Sequence, residues 1–133
     1  MSNLYGRSVF FVEDAERSLV FYTQSLGFAL DWNSQVDGRA WVFQVSLLGF
    51  ELILNQVEDQ TRGRAGHGRA FIGLDDDQVA PMLQHLRENR IPVRRVEWGR
   101  PTLVISDPDG NELLLWLSSD NDWSHLEIPT LES

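Results

Sequence analysis

The segment Gly49-Phe50-Glu51-Leu52-Ile53-Leu54-Asn55 returns 61 residues later as Gly110-Asn111-Glu112-Leu113-Leu114-Leu115-Trp116. A second pair of stretches agrees upstream at an offset of 62: Ser8 to Val12 followed by Asp14, and Ala70 to Leu74 followed by Asp75, Asp76 and Asp77. Two copies are too few for a solenoid, which needs at least about three repeats to bury its faces. The chain reads instead as one module written twice, with a loop insertion between the matching segments.

Each copy predicts the same run of elements. Residues 8–12 are β-branched and aromatic and favour a strand; Asp14 then caps a helix that places Ala15, Leu19, Tyr22 and Leu26 at helical spacing and ends at Gly27. Strands follow at 28–32, 39–47 and 50–55, joined by Asp37-Gly38 and Leu48-Gly49 turns, so module one is βαβββ over about 4–57. The glycine-rich stretch 58–68 has no periodicity and reads as a linker that could cover a cleft. Module two, about 69–117, repeats the order: a strand at 69–74, a helix capped by Asp77 and carrying Val79, Leu83 and Leu86, then strands at 93–98, 102–106 and 112–117. Pro81 is tolerable only near the first turn of that helix. Asp107-Pro108-Asp109-Gly110 is a strong turn, because Pro presets φ and Gly supplies a positive one. A polar tail, 118–133, carries Trp123, Leu126, Ile128 and Leu131. The fold class is α+β: a single domain of two tandem βαβββ modules forming a concave mixed sheet with the helices outside.

Strand alternation assigns faces. In the last strand of each module Leu52, Leu54, Leu113 and Leu115 lie under the helix, while Glu51, Ile53, Asn55, Glu112, Leu114 and Trp116 line the concave side. Trp41 and Phe43 are expected on that side too, with Phe11 and Phe71 from the first strands. Flat rings along a groove suit a planar or cationic ligand, through stacking and cation–π contacts of about 0.5–2 kcal/mol each, although ordinary core packing is open to every one of them. Trp32 and Trp98, at strand ends, suit a rim or a dimer interface.

Composition narrows the function. A net charge of −9 opposes nucleic-acid binding, which needs clustered Lys and Arg, and leaves a cationic or neutral guest easier to hold. No apolar run approaches the roughly 20 residues of a membrane span, and the first residues lack a signal peptide's layout, so a cytoplasmic location is expected. The absence of cysteine removes disulfides, thiolate nucleophiles and cysteine metal sites.

Val12-Glu13-Asp14 with Ser18, Phe21-Tyr22 and Leu26-Gly27-Phe28, together with Asp107-Pro108-Asp109-Gly110-Asn111, resembles the vicinal oxygen chelate superfamily of glyoxalase I, extradiol dioxygenases, fosfomycin-resistance enzymes and bleomycin-resistance proteins. The resemblance runs from about Leu4 to Leu117. It implies paired βαβββ modules, commonly in homodimers whose clefts involve both chains. In the metal-dependent members it further implies a divalent ion held by His or Glu from the first and last strands of each module. Those positions fall here on Arg7, Ile53, Arg69 and Leu114. A guanidinium offers no lone pair and an aliphatic side chain no donor atom, so no metal cofactor is expected. A register slip of two residues would bring Glu51 and Glu112 into the final-strand positions. Two carboxylates without a nearby His remain a poor transition-metal site. His67 in the linker, His85 on the second helix and His125 in the tail read as surface or capping residues.

Two readings of the arginines stay open. Arg7 and Arg69 can pair with Glu51 and Glu112, filling the space of a metal, in which case removing one buried partner would cost about 3–5 kcal/mol. Alternatively an arginine faces the cleft and grips an anion with both arms.

The expectation that follows is a metal-free, bleomycin-resistance-like protein that sequesters a drug or metabolite, as antibiotic-resistance proteins do, in an aromatic-lined acidic cleft of a cytoplasmic homodimer. The ligand-binding set is Arg7, Phe11, Trp41, Phe43, Glu51, Ile53, Arg69, Phe71, Glu112, Leu114 and Trp116, with no catalytic residue assigned. The alternatives are a metal-dependent lyase, isomerase or dioxygenase of the glyoxalase type, and a metal-free enzyme using Glu51 or Glu112 as base.

Overall fold

Leu4, residues 6–99 and residues 101–117 are described by the structure, a computed structural model. The order is β1 (Ser8–Val12), α1 (Ala15–Val20), β2 (Ala29–Val36), β3 (Arg39–Leu47), β4 (Phe50–Gln56), β5 (Arg69–Gly73), α2 (Asp76–Glu88), β6 (Arg94–Glu97), β7 (Pro101–Ser106) and β8 (Glu112–Trp116). The tail residues Trp123, His125, Leu126, Ile128 and Leu131 lie outside the described residues.

Asp14 caps α1 as expected, its side chain accepting from the amides of Glu16 and Arg17 at 3.1 and 3.2 Å. The helix does not run unbroken to Leu26: after Val20 it widens into a π-helical turn, Phe21–Ser25, closed by Leu26 N–H to the Phe21 carbonyl at 3.1 Å. The cap of α2 is Asp75 rather than Asp77. Asp75 accepts from the Gln78 backbone while the Gln78 side chain accepts from the Asp75 N–H at 2.9 Å, a reciprocal pairing that an Asp77 cap would leave without its Gln or Glu partner. Pro81 is consequently the sixth residue of α2, where it denies the Asp77 carbonyl its helical partner.

The strands form two four-stranded mixed sheets of identical topology, β1-β4-β3-β2 and β5-β8-β7-β6. In each, the outer strand of the chain start runs parallel to the last strand, and the remaining pairs are antiparallel. The α+β fold of two βαβββ modules is thus what the repeat implied. Leu52, Leu54, Leu113 and Leu115 are buried on the core side of their sheets, where a single cluster also takes in Phe10, Val12, Tyr22, Val79, Leu83 and Leu86. Among the described residues, no helix is long and apolar enough to cross a membrane.

The modules are joined by the β7–β8 turn. Asp109 accepts from Glu13 N–H at 3.0 Å, Arg17 Nη2 at 3.2 Å and Ser18 Oγ at 3.4 Å, so a turn of module two anchors the start of α1. Asn111 donates to the Phe11 carbonyl at 3.0 Å and accepts from Gly68 N–H at 2.8 Å, stitching β1 and the linker to the same turn. His85 Nε2 lies 3.1 Å from the Ser25 carbonyl, a bridge between α2 and the end of the first helix.

Candidate functional site

The faces of the two sheets turned away from the core carry the candidate site. In module one, Val9 opposes Ile53 and Phe11 opposes Asn55, while Ile53 opposes Gln44 across β3. Alternation then puts Arg7, Val9 and Phe11, Glu51, Ile53 and Asn55, and Val42, Gln44 and Ser46 on one open face.

This register corrects the expectation for Trp41 and Phe43. Phe43 opposes Leu54, is 4% exposed and belongs to the core. Trp41 shares its face and lies beside Arg39, Gln56 and Val57, away from the open face. The reason is legible in β3 itself: Trp41, Phe43, Val45 and Leu47 form an unbroken apolar alternation, whereas Gln44 and Ser46 mark the other side as the polar one.

The open face of module one is a polar row. Arg7 Nε reaches Glu51 Oε2 at 3.2 Å, Gln44 Nε2 donates to the same oxygen at 2.8 Å and to Asp31 Oδ2 at 3.0 Å, and Ser46 Oγ donates to Asp31 Oδ1 at 2.9 Å. Asp31, Gln44 and Ser46 were not singled out from the sequence. A shift of register in β2 between Leu30 and Trp32 brings Asp31 to this face.

Module two mirrors the ion pair and differs in everything around it. Arg69 stands opposite Glu112 in register, with Nε 3.1 Å from Oε1, and Arg94 from β6 closes the other oxygen at 2.8 Å. Above this triad lie rings: Phe71 is 5.0 Å from Trp116 and 5.8 Å from Trp98, centroid to centroid. Phe71 and Trp98 remain 45% and 47% exposed, available to a flat ligand, while Leu114, flanked by Phe71 and Val104, is buried. The structure therefore groups Arg7, Phe11, Glu51 and Ile53 on one face and Arg69, Phe71, Glu112, Leu114 and Trp116 on the other. Arg94 and Trp98 join the second group from β6 and its end.

The arginine–glutamate pairs are shallower than a buried-pair reading requires. Side-chain exposures are 28% and 38% for Arg7 and Glu51, and 54%, 55% and 21% for Arg69, Arg94 and Glu112. Solvent screening lowers the expected cost of breaking one such pair from the 3–5 kcal/mol of a buried one to about 1 kcal/mol or less.

The same pairs decide how these positions suit a metal. The four positions implied by the resemblance hold two guanidinium groups and two aliphatic side chains, and Glu51 and Glu112 each direct carboxylate oxygens at arginine. Among the described residues no three His, Cys, Asp or Glu side chains gather into a ligand set. The residues do not fit a divalent ion. Calorimetric titration of the purified protein with Ni²⁺ or Mn²⁺ is expected to show no stoichiometric binding, and a tight one-to-one complex would overturn that result.

The linker packs on the open side of β1, with the Arg64 guanidinium 5.6 Å from the Phe11 ring centroid, and His67 lines the same shallow recess. On the core side an apolar cleft of about 110 Å³ opens between the modules, lined by Phe28, Leu47, Phe50, Ile72, Leu74 and Met82. Pockets for drug-sized ligands measure about 300–1,000 Å³, more than this cleft offers by itself.

Solved structures of similar fold include TnmS3, an antibiotic binding protein from Streptomyces sp. CB03234, at 26% identity, covering 90% of this chain and 100% of that one with a TM-score of 0.61. The bleomycin-binding protein of Streptomyces verticillus complexed with copper(II)-bleomycin shares 17% identity over 90% of this chain and 99% of its own, TM-score 0.64. Lactoylglutathione lyase from Agrobacterium tumefaciens has the same fold at 18% identity, 92% and 98% coverage and a TM-score of 0.63. No curated protein sequence matches the chain. The family model for the Glyoxalase/Bleomycin resistance protein/Dioxygenase superfamily matches residues 5–115, which spans both βαβββ modules and both open faces, and the chain belongs to that superfamily.

Proposed function

We propose that this chain is a metal-free, cytoplasmic binding protein that sequesters a small organic molecule, a drug or metabolite with a planar aromatic part, without transforming it. The observation that carries the reading is the Phe71–Trp98–Trp116 cluster, which leaves two large rings half exposed on a sheet face beside three charged side chains. Exposed aromatics of that size are costly to leave in water and gain most from stacking on a ligand. The donor chemistry at Arg7, Ile53, Arg69 and Leu114 supports binding over Lewis-acid catalysis. Antibiotic-binding and bleomycin-binding proteins among the structures of like fold support the ligand class.

Each open face is a half-site, and the cleft is closed in a homodimer by a second copy of the chain. Sedimentation equilibrium is expected to give twice the chain mass; a monomer at micromolar concentration would remove the second copy from the site.

Tryptophan fluorescence titration with bleomycin and with planar aromatic amines tests the function. At least one is expected to quench saturably, and Phe71→Ala should weaken that ligand by about 1–2 kcal/mol with the thermal midpoint little changed. Saturable binding that Phe71→Ala leaves unaltered would move the ligand off this face. No quenching by any of them would oppose sequestration.

A further inference from the structure

One atom of module one's open face is left unsatisfied among the described residues. Gln44 is 4% exposed, and its Nε2 bonds both Asp31 and Glu51, yet its buried Oε1 meets no donor among the described residues. The amide cannot be turned over, because that would set its oxygen against two carboxylates and lose both bonds. A buried acceptor without a partner is costly and calls for a physical reason.

The charge around it is specific. Among the described residues Arg7 pairs with one of the two carboxylates, Glu51, and no ion pair reaches Asp31, so a single net negative charge lies beside the unmet acceptor. A divalent ion is a poor match: the Gln44 NH₂ lies between the carboxylates and the Arg7 guanidinium lies against Glu51, so N–H groups hold the places an ion would need. An organic ammonium is a good one, since it brings N–H donors and one positive charge. Trp32, opposite Gln44 in register and 42% exposed, adds an aromatic ring to the same neighbourhood.

We infer that Asp31, Gln44 and Glu51 form a subsite for a protonated amine carried by the ligand, with Gln44 Oε1 accepting one N–H and the two carboxylates supplying the counter-charge. The inference rests on the function proposed above and specifies the ligand further: an amine for this row and an aromatic body for an exposed ring beside it, Trp32. Oε1 is covered in the free chain, so the amine reaches it only when a neighbouring side chain moves aside.

The test compares 2-naphthylmethylamine with its N-acetyl derivative, which keeps the ring and loses the charge, by calorimetry at neutral pH. The amine is expected to bind about tenfold tighter or more, and Asp31→Asn should bring the ratio close to unity. In a ¹⁵N-labelled wild-type chain the Gln44 side-chain amide signals should shift with the amine and stay in place with the acetamide, a readout independent of how well the variant folds. Equal affinities would overturn the subsite while leaving the aromatic groove in place. Absence of binding by both compounds up to millimolar concentration would overturn the subsite and the groove together. A preference for the amine that survives Asp31→Asn, with the Gln44 signals unmoved, would place the amine elsewhere and also overturn it.

Discussion

Alanine at position 107 is expected to lower the unfolding free energy by about 3–5 kcal/mol, a large part of the roughly 5–15 kcal/mol that holds a domain folded. Asp107 is 6% exposed, and its two oxygens accept from Asp109 N–H and Asn111 N–H at 2.9 Å and from Tyr22 Oη and Asn111 Nδ2 at 3.0 Å. Removing the carboxylate leaves these donors without the acceptor they share, and each unmet buried donor costs about 1–3 kcal/mol before relaxation. Tyr22→Phe removes one donor together with its own need and should cost about 1 kcal/mol. Urea unfolding midpoints separate the two; similar small losses would mean that water enters the turn and replaces the carboxylate.

The same group sets a sign for pH. Burial lifts the Asp107 carboxyl above its ordinary value, and the hydrogen bonds from Asn111, Asp109 and Tyr22 pull it back only in part. The Tyr22 hydroxyl is the partner able to reverse and accept a proton from Oδ2. Because the folded-state value is the higher one, the contribution is fully present below the unfolded value and is lost as pH rises through the folded one. The stability gap between the parent chain and Asp107→Asn, which cannot ionise, should therefore narrow as pH rises above the ordinary aspartate range. A gap that widens as pH rises would give the carboxylate, rather than the acid, as the favoured buried form.

Gly66→Ala is expected to cost about 3 kcal/mol, against about 1 kcal/mol for Gly38→Ala. Both glycines have left-handed backbones, with φ of 83° and 76°. A Cβ on Gly38 would meet open space, whereas one on Gly66 would run into the Asp109 backbone carbonyl. Backbone cannot swing aside as a side chain can, and Asp109 is the residue that holds Glu13, Arg17 and Ser18. The clash is thus transmitted to the junction of the modules. Thermal unfolding of the two variants is the measurement, and equal losses would show that the linker can shift off the turn without cost.

Much of the architecture was legible because its signals are local. The Asp14 cap, the Asp-Gly turn and the repeated Gly-x-Glu-Leu strands each act over a few residues, and those positions form as read. The cap of α2 was legible as well, since Asp75 has Gln78 three residues on and Asp77 has Ala80, yet the run of three aspartates obscured it. For Trp41 and Phe43, ring chemistry outweighed the apolar alternation that puts them toward the core. The Asp107-Pro108-Asp109-Gly110 turn was recognised as a turn, while its second role, docking module two onto α1, depends on contacts across about 90 residues of chain. The polar row was hidden more deeply, because the β2 register shift that delivers Asp31 leaves no trace in a simple period of two.

By itself the sequence determined the doubled βαβββ order, that Glu51 shares a face with Ile53 and Glu112 with Leu114, and the lack of metal-donor atoms at Arg7, Ile53, Arg69 and Leu114. These follow from covalent order, side-chain chemistry and strand parity, which no packing can alter. Tertiary structure alone decided that Glu112 is shared by Arg69 and Arg94, that Phe71 meets both Trp98 and Trp116, and that Gln44 lies between Asp31 and Glu51. Parity divides a strand into two faces; which face meets the core, and which side chains from distant strands share the other, is fixed only when the sheet pairs and its register shifts are in place.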